Sequence, residues 1–296
     1  MIRNYIWPVI VLSMLTTSDA LQQGRLSSLD FQPFSAIETT LKPDSNTTKV
    51  QQLPTKVMIS TGRKATEVID LEDSNVMCED LEDFPISIDN AVGGNLASTP
   101  IICGGYFYNG SDHSSDKCFK YTEGGWQHFA TMIERRLFPA GIVYSNALHV
   151  FGGQDYDFYN TSTVLNSSEI VKEDGSSTKG PQLPEPMWQH AIASINSTVS
   201  IITGGRTSWI NYSDKTWYYN HASQKFQPGP NLTEARTYHS SGSVTDQETK
   251  EKMVIIAGGS NSTDFLDSTE MLLNGEWKTG KNHRESYTYL FILLYL

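Results

Sequence analysis

The sequence predicts an all-β protein built from one repeating four-stranded unit. Three observations predict it. Four apolar runs end in a Gly pair: PIICGG (100–105), LHVFGG (148–153), SIITGG (200–205) and VIIAGG (254–259). Their first glycines, at 104, 152, 204 and 258, recur every 48 to 54 residues. The segments between the pairs repeat as well, with a second strand, a turn, an aromatic and a bend in the same order. A fixed period of this length marks a stacked or radial repeat.

The chain has 296 residues, of which 38% are hydrophobic and 19% charged, a globular composition. Its net charge of −11 argues against nucleic acid or an anionic membrane as the main partner, since both attract basic patches. Three cysteines are too few for a disulfide-built scaffold.

Residues 1–20 read as a secretory signal peptide. Arg3 supplies the basic start, Ile6 to Leu15 the apolar stretch, and Ser18 and Ala20 the small residues of a cleavage site. The same stretch also reads as a buried N-terminal strand. Residues 21–54 are polar, carry Pro33, Pro43 and Pro54, and read as an extended leader. The tail at 281–296 is atypical and ends in YLFILLYL, too short to span a bilayer. It reads as a closing β-strand or as a terminus wrongly assigned to the chain.

Between these ends, 55–280 hold the repeats. VMISTGR (57–63) keeps one glycine, Gly62. The strands after the Gly pairs are ATEVIDL (65–71), SDKCFKY (115–121), SSEIVKE (167–173), SDKTWYY (213–219) and STEMLLN (268–274). Trp126, Phe226 and Trp277 follow, large enough to fill a wedge between neighbouring units. The bends are ATMIERR (130–136), GPQLPEP (180–186) and GPNLTEAR (229–236), and a fourth strand leads to the next Gly pair. Such units form the blades of a β-propeller. Glycine is expected where strands crowd near the axis.

Apolar strand, Gly pair and later aromatic resemble the kelch repeat family. The ICGG and KCFKY cysteine pattern is similar to that of secreted, glycosylated arthropod-type kelch proteins. The resemblance implies a kelch-type β-propeller of four-stranded antiparallel blades, with about five recognisable repeats. It departs from the family in three places. The first unit lacks its leading strand and second glycine, the third has GSSTKG (175–180) in place of its aromatic, and no sixth pair follows Trp277. The ring is therefore read as five-bladed, incomplete or truncated.

Cys103 and Cys118 stand at adjacent ends of one hairpin, where a cross-strand disulfide is reasonable. Pairing of Cys78 with either is the competing arrangement. A leftover Cys78 would offer self-association.

Asn-x-Ser/Thr occurs at Asn46, Asn109, Asn160, Asn166, Asn196, Asn211, Asn231 and Asn261. Chance gives roughly three such sites, so the excess supports export and N-glycosylation. All those of the repeat region except Asn196 map to the propeller face that carries the Gly-pair loops. The opposite face is expected to be freer of glycan.

No nucleophile elbow, HExxH, P-loop or GxGxxG is present. His190 (MWQHA) and His239 (RTYHS) invite a metal reading, but they share one repeat position and read as structural. The acidic run at 70–83 lacks EF-hand spacing and reads as a solvated loop. No cofactor and no metal are expected. In kelch adaptors the residues after the Gly pair, and an arginine after the bend, line the channel mouth and hold an acidic peptide. The matching positions are Arg63, Tyr106, Gln154, Arg206 and Ser260, with Arg136 and Arg236. The bland reading is that these arginines cap strands or pair with nearby acids.

The leading expectation is a secreted, N-glycosylated propeller that binds extracellular protein and catalyses nothing. Two others stand beside it. One is a copper oxidase-like (galactose oxidase-type) or carbohydrate-active secreted propeller. The other is a disulfide-linked structural or matrix component.

Overall fold

The computed structural model describes residues 79–108, 113–156, 161–245 and 252–280. It also describes Lys64 and the strands Val11–Met14, Lys56–Thr61 and Thr66–Asp70. Among these residues there is no helix.

Five four-stranded sheets follow one another along the chain. The first holds β1 (Val11–Met14), β2 (Lys56–Thr61), β3 (Thr66–Asp70) and β4 (Glu79–Asp80). After β5 (Ser87–Asp89), the second holds β6 (Val92–Leu96), β7 (Thr99–Cys103), β10 (Lys117–Thr122) and β11 (Gly125–Thr131). Between β7 and β10, β8 (Tyr106–Tyr108) and β9 (His113–Ser114) form a small sheet with β5. The third sheet holds β12 (Ala140–Tyr144), β13 (Ala147–Phe151), β16 (Ser168–Lys172) and β17 (Ser177–Lys179). A hairpin of β14 (Gln154–Tyr156) and β15 (Ser162–Val164) rises from it. The fourth holds β18 (Ala191–Ser194), β19 (Val199–Thr203), β20 (Thr216–Asn220) and β21 (Lys225–Pro228). The fifth holds β22 (Ser240–Thr245), β23 (Lys252–Ala257), β24 (Thr269–Leu273) and β25 (Glu276–Thr279).

The last four sheets are antiparallel meanders, each strand pairing with the next strand of its own sheet. The first sheet departs: β1 runs parallel to β2 and fills the place of the missing leading strand. Cleavage after Ala20 would leave this sheet with three strands. Part of the acidic run is strand rather than solvated loop, because Glu79 and Asp80 form β4 against β3.

The strand that leads each sheet faces its counterparts, with β12 touching both β6 and β18, and β18 touching β22. The strand carrying the Gly pair is second, not innermost as the sequence suggested. Its position explains its composition. Sandwiched between neighbouring sheets, it buries both faces and reads as a continuous apolar run. Ile201 packs toward the fifth sheet with Val254 and Ile256. Ile202 turns the other way, to Phe151 and Met187. The core is therefore a series of seams between consecutive sheets. The repeat aromatics fill them, Trp126 beside Phe84 and Phe119, and Trp277 beside Leu232. The Trp126 indole N–H donates to Thr66 of the first sheet at 2.8 Å, and that of Trp277 to the Pro230 carbonyl at 3.0 Å. In the third unit, which lacks its aromatic, Gly175 lies against the Phe129 carbonyl of the second sheet.

Cys103 and Cys118 are direct cross-strand partners on β7 and β10 and form a disulfide closing 15 residues. Both are fully buried in the seam between the second and third sheets. Replacing both with alanine is expected to lower the unfolding free energy by about 3 kcal/mol, from loop entropy. Urea unfolding measures it, and a loss below about 1 kcal/mol would show that the loop is held without the bridge.

Candidate binding face

The links between sheets build one face of the molecule, and the Gly pairs organise them. Gly204 and Gly205 show how. Both have positive φ (59° and 87°), a region that glycine enters without penalty. A Cβ at Gly204 would sit 2.5 Å from the Arg236 carbonyl oxygen, on the link that leaves the fourth sheet. A Cβ at Gly205 would sit 2.7 Å from the Trp188 carbonyl oxygen, on the link that arrives. The pair is thus the point where two links cross one strand end, and no side chain fits.

Each link is tied at both ends. The Gly105, Gly153 and Gly205 N–H groups donate to the Arg136, Met187 and Arg236 carbonyls of the departing links. The next residue of each link bridges forward, Leu137 to Gln154, Trp188 to Arg206 and Thr237 to Ser260. One residue further on, Asn90, Phe138, Gln189 and Tyr238 all take positive φ and form a belt. Phe138 N–H donates to Asn90 O at 3.0 Å, Gln189 to Phe138 at 3.1 Å, and Tyr238 to Gln189 at 3.1 Å.

Arg136 and Arg236 do not line a channel mouth. Both are fully buried clamps between sheets. Arg136 donates from Nη1 to the Gly152 carbonyl at 2.7 Å, and from Nη2 and Nε to Glu169 at 2.9 and 3.1 Å. Arg236 donates to the Gly258 carbonyl at 3.0 Å and to Glu270 at 2.8 Å. Both glutamates are buried, so each guanidinium exchanges water for a carboxylate and carbonyls. The corresponding position at 187 is methionine, and its partner position holds Trp217 in the same apolar cluster.

The other rim positions separate in the same way. Arg63 lies outside the described residues. Gln154 is buried, with its Nε2 unpartnered. Ser260 is buried and bridges Phe265 as well as Thr237. Tyr106 is half-buried in β8, its ring 6.1 Å from that of Tyr156.

Arg206 is different. Its guanidinium lies 4.2 Å from the Tyr212 ring centroid and 5.7 Å from the Trp188 ring, bonded to the Tyr212 hydroxyl and the Trp209 carbonyl. Its Nε has no partner. Arg135, Arg136 and Arg236 each pair with a carboxylate, and Arg206 alone among the described arginines does not. It lines a cavity of about 430 Å3 with Tyr212, Tyr238 and residues 260–265. The exposed Phe265 (64%) is part of its lining, and Trp209 (56%) and Ile210 (82%) are exposed on the loop that follows Arg206. Trp209 packs edge-on against Trp188 at 5.0 Å and donates its indole N–H to Ser162 at 3.0 Å. The sequence reading missed Trp209 and Ile210. Their signal was SWIN (208–211), two large apolar residues in a polar post-Gly loop.

Four buried histidines lie at the seams. His190 packs its ring on Gly152, and His239 packs its ring on Gly204. His239 bonds Thr203 Oγ1 at 2.8 Å, while neither nitrogen of His190 has a partner. Burial pushes both to about 3, with Arg236 and His190 adding to the push on His239. Toward the opposite face, His149 and His221 lie 5.2 Å apart, with Tyr144 stacked on His221 at 4.4 Å. Burial lowers His149, and burial with His149 beside it lowers His221 to about 4.

Of the sequons, Asn196, Asn211 and Asn231 are exposed, and Asn166 and Asn261 are half-buried. Asn196 lies on the turn between β18 and β19, opposite the other four. Asn46, Asn109, Asn160 and Cys78 lie outside the described residues.

No family model matches the chain, and no curated protein matches it. Among solved structures it is similar to YjhT, with a TM-score of 0.67 and 12% identity over 76% of this chain and 80% of that one. That likeness shows a β-propeller-like fold.

Proposed function

We propose that the chain is a kelch-type propeller, secreted and N-glycosylated, that binds an extracellular protein through an acidic segment and catalyses nothing. The observation that carries this reading is Arg206. Its guanidinium is held between two rings by neutral groups, beside a cavity, in a chain of net charge −11. An arginine left without a carboxylate amid such an excess of acids is poised for one supplied from outside. Trp209, Ile210 and Phe265 offer the apolar surface that a protein partner buries around such an anchor. The sequons and the apolar start of the chain support export.

The test uses a labelled tetraglutamate peptide and the chain produced unglycosylated. Replacing Arg206 with alanine is expected to weaken binding about 10- to 100-fold, the worth of a charged hydrogen bond. Lysine recovers only part, because it lacks the planar fork. Equal affinity of the native and alanine chains would sink the proposal.

A further inference from the structure

We propose that Asn261 carries an N-linked glycan that gates the Arg206 cavity, leaving the site open only on chains unmodified there. The proposal rests on the two readings above, that the chain is exported and that Arg206 receives the ligand.

Asn261-Ser262-Thr263 is a sequon, and these three residues with Asp264 and Phe265 make the wall of the cavity facing Arg206 and Tyr212. The Asn261 side chain is fixed. Its Oδ1 accepts from Thr263 N–H at 2.8 Å, from Thr263 Oγ1 at 3.0 Å and from Asp264 N–H at 2.7 Å. Its Nδ2 donates to Glu234 Oε1 at 2.8 Å. That bond uses one amide hydrogen, so a sugar can replace the other without breaking the network. The linkage would then leave the cavity wall in a set direction rather than swing free.

Size makes this consequential. About 430 Å3 is at the small end of ligand pockets, so a sugar at the wall competes for the same space. The exposed Phe265 ring gives the apolar face of that sugar a surface to lie on. Asn211 stands on the neighbouring loop but does not line the cavity, and Asn196 is on the opposite face.

The test compares the chain secreted from a glycosylating host with three variants. Asn261→Gln and Thr263→Ala each destroy the sequon, and the second keeps the Asn261 hydrogen bonds to main chain. Asn196→Gln removes a remote sequon. Site occupancy is read by peptide mass, and access to Arg206 by its rate of modification with phenylglyoxal. Occupancy at Asn261 is expected in the native chain. Arg206 is expected to react at least fivefold faster in both cavity variants and at the native rate in Asn196→Gln. Tetraglutamate binding should follow the same order. An unoccupied Asn261, or an Arg206 rate indifferent to the sequon, would overturn the gate. Faster modification without peptide binding would uphold the gate and remove the acidic-ligand reading.

Discussion

Replacing Arg136 with methionine is expected to cost about 3–5 kcal/mol, although methionine is the natural residue at the same place in the next link. The cost lies in what remains. Glu169 is 1% exposed, and it keeps only the Ile133 and Glu134 N–H groups and the Ser177 hydroxyl once the guanidinium is gone. The Gly152 carbonyl loses the guanidinium at the same time, and the Ser167 carbonyl keeps only the Gly152 N–H. A buried charge without its partner is far more costly than the pair was valuable. The repeat itself shows the alternative, because links one and three join their sheets with apolar pairs: Ile88 with Phe119, and Met187 with Trp217. Arg136 with Glu169 and Arg236 with Glu270 are the ionic versions of the same joint. Adding Glu169→Gln to Arg136→Met should therefore recover part of the loss, since the amide carries no charge to leave uncompensated and its one oxygen still accepts from the Ile133 or the Glu134 N–H. Urea unfolding of both singles and the double gives the coupling. Additive losses, or a single below about 1 kcal/mol, would show that Glu169 finds water and that the clamp carries little.

The same joints explain how far the sequence could be read. The Gly pairs were legible because the crossing of two links leaves no room for a side chain, so the pattern survives in four units. The aromatics were legible because each seam needs one large filler. The fates of the arginines were not, because they depend on residues about 33 positions away. Arg136 and Arg236 look like rim residues until Glu169 and Glu270 are set beside them, each two residues into the strand after the Gly-pair loop. In the unit that carries Arg206 that position is Trp217, packed with Met187 of the preceding link, and Arg206 itself sits one residue past the Gly pair against the Tyr212 and Trp188 rings. Aligning the units column by column contains this information, whereas reading each bend alone does not. The innermost strand was misassigned for a related reason. Its serines, glycines and alanines carry little hydrophobic signal, while the second strand, buried on both faces, carries the most.

Acid is expected to unfold this protein well above the pH at which its carboxylates titrate. His190 and His239 are neutral in the fold, held at about 3, and the unfolded chain protonates them near 6.5. Below 6.5 the unfolded state therefore binds more protons than the folded one, and stability must rise with pH across that window. The contribution is complete above 6.5 and is lost progressively as the pH falls toward 3. At pH 4.5 each of these two histidines costs roughly 2–3 kcal/mol, and the pair about 5. His221, at about 4, and His149 add in the same direction. That sum is comparable with the whole stability of a typical domain. Arg236 is the fixed cation facing His239, so protonation there sets two positive charges together in a dry seam. His190 has no acceptor for a second proton, both of its nitrogens being unpartnered already. Urea unfolding from pH 7.5 to 4.5 should show the decline beginning near 6.5. His190→Leu should flatten the slope, whatever it does to stability at pH 7.5, because the slope counts protons and the absolute value counts packing. A flat profile down to pH 4.5 in the native chain would mean that water reaches these rings and that the seams are not dry.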